Sequence, residues 1–318
     1  MILIALHIYD IHAIRKQMKF DTAYWDDIRY LVFSGGAMNG LSYVGVLRML
    51  ELVQPKLYER VQGYAGTSIG ALVSLLLCIG YTADNMQTVI ENFDISTLLS
   101  RSTGMFQDYG MVDAQSTLGA WVASLIGNYM GKPDVNFAEL YRRTRQELTV
   151  VVTNFTTRKV EYWNRHTRPG MSVCSAVTCS MALPLFFTPV KMSDGMYLDG
   201  GMGDNFPLTV YPRESTLGIK IDITHDPPFS GMIEYGMALI ELKRALDSGV
   251  RDIGKQSTYR TVCISGRMSA GFNFFVSIVH RRRIVAHGLF AALVWLFQLP
   301  IILWATCQLY DLPWHAPS

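Results

Sequence analysis

Apolar and polar positions alternate along this chain in two periods, and their order predicts the architecture. Tyr30 to Phe33 is a short apolar run that stops at Ser34-Gly35-Gly36-Ala37-Met38-Asn39-Gly40. From Leu41 to Val53 the apolar residues Tyr43, Val46, Leu47 and Leu50 recur at helical spacing, with Arg48 and Glu51 on the other face. The order repeats: apolar Val61 to Ala65, a turn at Gly66-Thr67-Ser68-Ile69-Gly70, then an unbroken apolar run from Ala71 to Ile79. Two successive strand–loop–helix units predict a mainly parallel sheet covered by helices.

Further along, Asp84 to Lys132 is mixed and mostly helical, a cap or peripheral layer. Leu148 to Thr153 is a β-branched strand that pairs with Val160 to Trp163 as a hairpin. Met181 to Val190 carries Pro184 and Pro189 and is expected to be an extended loop. Ser193-Asp194-Gly195-Met196 has hairpin-turn chemistry and leads to a strand ending at Asp199-Gly200-Gly201. Leu217 to Ile223 reads as a strand and Met232 to Leu246 as a helix. The resulting division is an N-terminal segment 1–28, a catalytic domain 29–225, an extension 226–280, and an apolar segment 284–310.

That last segment differs in kind. From Ile284 to Tyr310 there is no Asp, Glu, Lys or Arg, a stretch longer than the roughly 20 residues that cross a bilayer. His280-Arg281-Arg282-Arg283 precedes it and only Asp311 follows, which places the main domain on the cytoplasmic side. A spanning anchor is the leading expectation. Gln298 and Pro300 also suit a hairpin within one leaflet, and a helix buried in the soluble domain is the third reading. The Met1 to Ile14 stretch, with its positive charges following the apolar residues, lacks the polarity of a secretory signal and is expected to pack on the domain.

Composition agrees with membrane contact: half of the 318 residues are apolar and 17% charged. The net charge of +2 gives no indication of a nucleic-acid partner. Five cysteines without a C-x-x-C pair read as reduced, buried thiols of an intracellular protein. No Asp/Glu cluster or His pair has metal-ligand spacing, so neither a metal nor another cofactor is expected. The Asn154-Phe155-Thr156 sequon is expected to be idle within a strand.

Gly66-Thr67-Ser68-Ile69-Gly70 is a G-x-S-x-G pentapeptide in the strand–turn–helix setting of a nucleophile elbow. A serine hydroxyl needs a base. His166 and His225 are the available histidines downstream of Ser68, and neither lies at a glycine-rich strand end, although a triad through His225 remains an alternative. Asp199, at a strand end before two glycines, is the better partner. The amides of the turn at Gly35 to Gly40 offer donors for a developing oxyanion.

These three blocks, in this order, resemble the patatin-like phospholipase family: the turn from Ser34 to Gly40 for its oxyanion loop, the Ser68 pentapeptide for its serine elbow, and Asp199-Gly200-Gly201 for its aspartate. Ser180-Met181-Ala182-Leu183-Pro184, Phe187-Thr188-Pro189-Val190 and Asn205-Phe206-Pro207 are similar to supporting segments of that family. The likeness covers Tyr30 to Ile221. It implies a three-layer α/β/α fold with a mainly parallel central sheet, to which the apolar segment adds a C-terminal hydrophobic helix. It implies a Ser68–Asp199 dyad without histidine, an acyl-enzyme, and an oxyanion hole from the Gly35, Gly36 and Ala37 amides. Gly40, Gly66, Gly70, Gly200, Gly201 and Asn205 support the motif. The expected substrate is a phospholipid or another lipid ester at a membrane, with the protein intracellular and its catalytic domain facing the cytoplasm. A transacylase or neutral-lipid lipase with the same dyad, and a catalytically weak membrane-bound scaffold, are the alternatives. Two departures stand out: Ala37 occupies a position where the family commonly has glycine, and Asn39 one where it commonly has Lys or Arg.

Overall fold

The computed structural model describes residues 25–91, 109–224, 235–236, 238–240, 242–243, 260–267 and 277–297. Strand β1 (Tyr30–Phe33) runs into a 3-10 turn (Ala37–Leu41) and helix α1 (Ser42–Val53). A short helix α2 (Leu57–Arg60) leads to β2 (Gly63–Thr67) and α3 (Ile69–Cys78). After α4 (Ala83–Glu91) come β3 (Gly110–Val112), α5 (Ala120–Met130) and α6 (Phe137–Thr144). Then follow β4 (Glu147–Asn154), β5 (Lys159–Trp163), α7 (Val173–Met181), β6 (Leu185–Phe187), β7 (Val190–Met192), β8 (Gly195–Asp199), β9 (Thr216–Thr224), β10 (Arg260–Arg267) and α8 (Ile278–Phe297).

The main sheet has the order β10-β9-β1-β2-β4-β8-β7, with β5 paired to β4. From β10 to β4 every pairing is parallel, and the β4, β5, β7 and β8 pairings are antiparallel. The sheet is therefore mixed but mainly parallel, with α1 and α3 returning the chain between its central strands as two right-packing crossover units require. β2 is buried throughout and α3 along nearly its whole length, which explains why α3 reads as a continuous apolar run with no polar face.

Several expectations needed correction. The stretch Met181 to Val190 is not all loop: α7 extends to Met181, and β6 pairs in parallel with β3 as a separate two-stranded sheet. Its prolines sit just outside the ladder, Pro184 before β6 and Pro189 after it, where no amide is needed. Of the cysteines, Cys78 and Cys179 are buried and Cys174 half-buried, whereas Cys263 on β10 is exposed. The sequon residue Asn154 is buried, and its Nδ2 donates to Glu161 Oε1 at 2.8 Å. The N-terminal stretch Met1 to Ile14, His225, Cys307 and most of Met232 to Leu246 lie outside the described residues.

The largest correction concerns the apolar C-terminal segment. Among the described residues no helix is long and apolar enough to cross a membrane. Helix α8 instead lies across α1, and Ile284, Val285 and Ala292 are buried in the main core. The crossing is close because both helices present glycine: a Cβ on Gly45 would lie 2.0 Å from the Val285 carbonyl oxygen, and one on Gly288 would lie 1.8 Å from that of Ser42. Trp295 packs edge-on against the buried Trp25 at 5.9 Å between ring centroids. Arg282, in the basic run that precedes the segment, donates from Nε to Glu91 Oε1 at 2.9 Å. Ile284, Val285, Gly288 and Ala292 thus belong to the domain core, and Leu289, Ala291, Leu293, Trp295 and Leu296 pack half-buried against it. An uncharged helix is what a site buried against another apolar helix demands, and hydropathy alone does not separate that demand from a bilayer's. The remainder of the segment, 298–310, lies outside the described residues.

Candidate active site

Ser68 is the single residue between β2 and α3. Its φ of 54° and ψ of −126° fall outside the ordinary regions for an L-residue. Such strain persists only where surrounding contacts impose it. The contacts are specific: a Cβ on Gly66 would lie 2.2 Å from the Gly70 carbonyl oxygen, and one on Gly70 would lie 2.4 Å from that of Ser34. The elbow is tight because both flanking positions lack a side chain. The Ser68 amide donates to Ser180 Oγ at 2.9 Å, and the Ser68 carbonyl accepts from the Ala71 amide at 2.9 Å to open α3.

The glycine turn abuts this elbow. A Cβ on Gly35 would stand 3.4 Å from Ser68 Cβ and 2.4 Å from Asn205 Oδ1. The Gly35 amide donates to the Asn205 carbonyl at 2.9 Å, and Asn205 Nδ2 returns a weaker bond to the Gly35 carbonyl at 3.4 Å. This exchange commits the Gly35 amide, contrary to its expected place among the oxyanion donors. The Gly36 and Ala37 amides have no acceptor among the described residues. Ala37 adopts φ 45°, the left-handed region in which a Cβ is disfavoured. Gly40 is buried within the 3-10 turn beside Ile69, and Asn39 is buried there too. Behind the turn, Ser34 Oγ accepts from the Ile221 amide at 2.9 Å. Tyr43 donates its hydroxyl proton to the Ser34 carbonyl, and burial pushes that phenol far above its usual range, so it stays a neutral donor.

Asp199 ends β8 and is 2% exposed. Its Oδ1 accepts from the Gly201 amide at 2.7 Å, which orients the carboxylate, while Gly200 and Gly201 open the 3-10 turn that follows. Strand register brings it towards Ser68: Thr67 pairs with Val151 on β4, and the next residue, Val152, pairs with Asp199. One strand separates the two ends, so their backbones stand roughly 10 Å apart. Two further bonds join the blocks. Thr67 Oγ1 donates to the Asp204 carbonyl at 2.9 Å, and the Asp199 amide donates to the Ala182 carbonyl at 3.0 Å.

The structure therefore gathers Gly35, Gly36, Ala37, Gly66, Ser68, Gly70, Asp199, Gly201 and Asn205 at one end of the sheet. His166 lies at the other end, with Nε2 3.2 Å from Glu147 Oε1 at the start of β4. Sequence reading missed the roles of Ser180, Thr67 and Tyr43. The one available signal was a serine at the end of an apolar helix, where a polar group needs a partner.

An α/β sheet with a strained serine at a strand-to-helix turn, facing a glycine turn and a buried aspartate, defines the class of fold and site. The patatin-like phospholipase model matches residues 31–210, more than half of the chain. The chain belongs to the patatin-like phospholipase family. It is 26% identical over 190 residues to the probable lipid hydrolase 463L of Invertebrate iridescent virus 6, covering 57% of this chain and 62% of that protein. It is 25% identical over 200 residues to the uncharacterized protein R571 of Acanthamoeba polyphaga mimivirus, covering 60% and 65%. These matches span under two thirds of either viral protein's length. Among solved structures it is similar to VipD from Legionella pneumophila, with a TM-score of 0.57 at 18% identity, covering 86% of this chain and 67% of that one.

Proposed function

We propose that the chain is a lipid acyl-ester hydrolase of phospholipase A type that works at a membrane surface through Ser68 and Asp199. The observation that carries this reading is the Ser68 backbone: a φ of 54° in a strand-to-helix turn walled by Gly66 and Gly70 is the strained setting of a nucleophile elbow. Asp199 takes the Ser68 proton as Oγ attacks the ester carbonyl carbon. The oxygen of the tetrahedral intermediate turns to the Gly36 and Ala37 amides. The carbon–oxygen bond to the alcohol then breaks, and the alcohol leaves with the proton from Asp199. Water then gives a proton to Asp199 and its hydroxyl to the acyl carbon; the bond from that carbon to Ser68 Oγ breaks, Oγ takes the proton back from Asp199, and the fatty acid leaves. Burial of Asp199 supports its part, since its pull on a proton is little screened there.

Purified protein is expected to react with a fluorophosphonate probe at Ser68 and to release fatty acid from phospholipid vesicles. Ser68→Ala and Asp199→Asn are each expected to lower turnover by about a thousandfold or more while leaving the fold intact. Full activity in either variant would sink the dyad. Product analysis with lipid alcohols present would separate hydrolysis from acyl transfer.

A further inference from the structure

Asp204 and Asn205, a few residues beyond the candidate aspartate, bond to all three blocks of the site. The Asp204 amide donates to the Gly200 carbonyl at 3.0 Å, in the turn that follows Asp199. Its carbonyl accepts from Thr67 Oγ1 at 2.9 Å, on the residue ahead of Ser68. The Asn205 carbonyl accepts from the Gly35 amide at 2.9 Å, at the start of the glycine turn. Two adjacent residues thus tie the turn after Asp199, the elbow and the glycine turn to one another.

This tie bears on the Gly36 amide. The Gly35 carbonyl and the Gly36 amide share one peptide plane and, in a trans peptide, point in opposite directions. Whatever fixes that carbonyl therefore aims that amide. The carbonyl accepts from Ser34 Oγ at 3.0 Å and from Asn205 Nδ2 at 3.4 Å. Asp204 is in turn held from outside. Tyr162, on β5 and 36% exposed, donates its hydroxyl proton to Asp204 Oδ2 at 2.8 Å. Asp204 Oδ1 accepts from the Phe206 amide at 3.1 Å, so both carboxylate oxygens are engaged. Strand β5 also closes on this segment at Gly203, where a Cβ would collide with Val160 Cγ2. On the inner side Thr67 is fully buried, and a displaced Asp204 would leave its hydroxyl unpaired there, which is unfavourable.

We propose that Thr67, Asp204 and Tyr162 are positioning residues: acting through Asn205, they hold the peptide that carries the Gly36 amide in fixed relation to Ser68. A donor held in place before the reaction need not be reoriented as charge develops on the oxygen it meets, which is where its benefit lies. The effect on turnover rests on the Ser68–Asp199 reading, whereas the restraint on the glycine turn is a property of the fold and shows without activity.

The test compares the full chain with Thr67→Val, Thr67→Ser and Tyr162→Phe. Valine keeps the shape of threonine without its hydroxyl, and serine keeps the hydroxyl. Phenylalanine removes one exposed donor, so Tyr162→Phe is expected to melt with the parent and carries the test alone if Thr67→Val does not fold. Amide hydrogen exchange of peptides spanning residues 34–41 reads the restraint, and kinetics with a soluble short-chain ester read its effect. Thr67→Val is expected to speed exchange in the turn roughly tenfold, the loss of one buried hydrogen bond, and to lower kcat roughly tenfold with KM within about twofold. Tyr162→Phe is expected to act in the same direction by about threefold, as befits a more exposed bond. Thr67→Ser should restore both readouts to within about threefold of the parent, and peptides from α5 should exchange as in the parent throughout. Faster exchange of the turn in variants of a parent that shows no turnover would sink the dyad and leave the restraint standing. With an active parent, unchanged exchange of the turn in both Thr67→Val and Tyr162→Phe, or parental kcat in both, would overturn the proposal.

Discussion

Ala37 and Ser68 both hold positive φ within the same site, but for different reasons. Ser68 is forced into it by the turn that presents its hydroxyl. At Ala37 no such side-chain role is needed, and its Cβ is disfavoured at φ 45°. Ala37→Gly is therefore expected to stabilise the fold by roughly 0.5–1 kcal/mol, the left-handed strain being partly offset by the greater freedom of glycine in the unfolded chain. A urea titration checks the stability, and turnover should be equal or higher; a clear loss of stability would mean that the turn prefers alanine. Ser180 makes a sharper case. Removing its hydroxyl leaves the Ser68 amide buried without an acceptor, at a cost of about 1–3 kcal/mol. Ser180→Ala should lower kcat more than it raises KM, because the elbow is displaced while contacts away from it are unchanged.

At the scale of elements, the contact between α1 and α8 settles what the apolar C-terminal stretch does in residues 284 to 297. The two glycines let the backbones meet, so any side chain at either position must push the helices apart. Gly45→Leu or Gly288→Val is expected to destabilise the domain by about 3 kcal/mol or more. Arg283→Ala, exposed on α8, should change stability by under about 0.5 kcal/mol. Truncation after residue 277 provides the direct contrast between an anchor and a core helix. Loss of an anchor would yield a soluble, active domain. Loss of α8 uncovers the core around Ile284, Val285 and Ala292, so the truncated chain is expected to aggregate or unfold. Recovery of a soluble, cooperatively melting truncated protein would overturn the assignment.

At the scale of the whole molecule, α8 also ties stability to pH. Burial lowers the pKa of His287 below its ordinary value, so the unfolded chain binds a proton there more readily than the folded one. The stability this neutral histidine allows is complete above the unfolded value of about 6.5 and falls as pH drops from there towards the folded value. Urea midpoints measured between pH 7.5 and 5.5 should decline, and His287→Phe should flatten that slope. An unchanged slope in the variant would place the titration elsewhere.

The blocks of the candidate site were legible in the sequence because each is local: a glycine-flanked serine, a glycine turn and an Asp-Gly-Gly strand end are recognised in a few adjacent residues. The strands around them were legible too, since a strand buried on both faces reads as an apolar run. What the sequence could not reveal was pairing across distance. The exchange between Gly35 and Asn205, the seat of the Ser68 amide on Ser180, and the parallel pairing of β3 with β6 join residues far apart in the chain. The apolar C-terminal helix shows the limit most plainly: an uncharged run states that water must be excluded, and only the tertiary structure decided that at Ile284, Val285 and Ala292 the domain's own core excludes it.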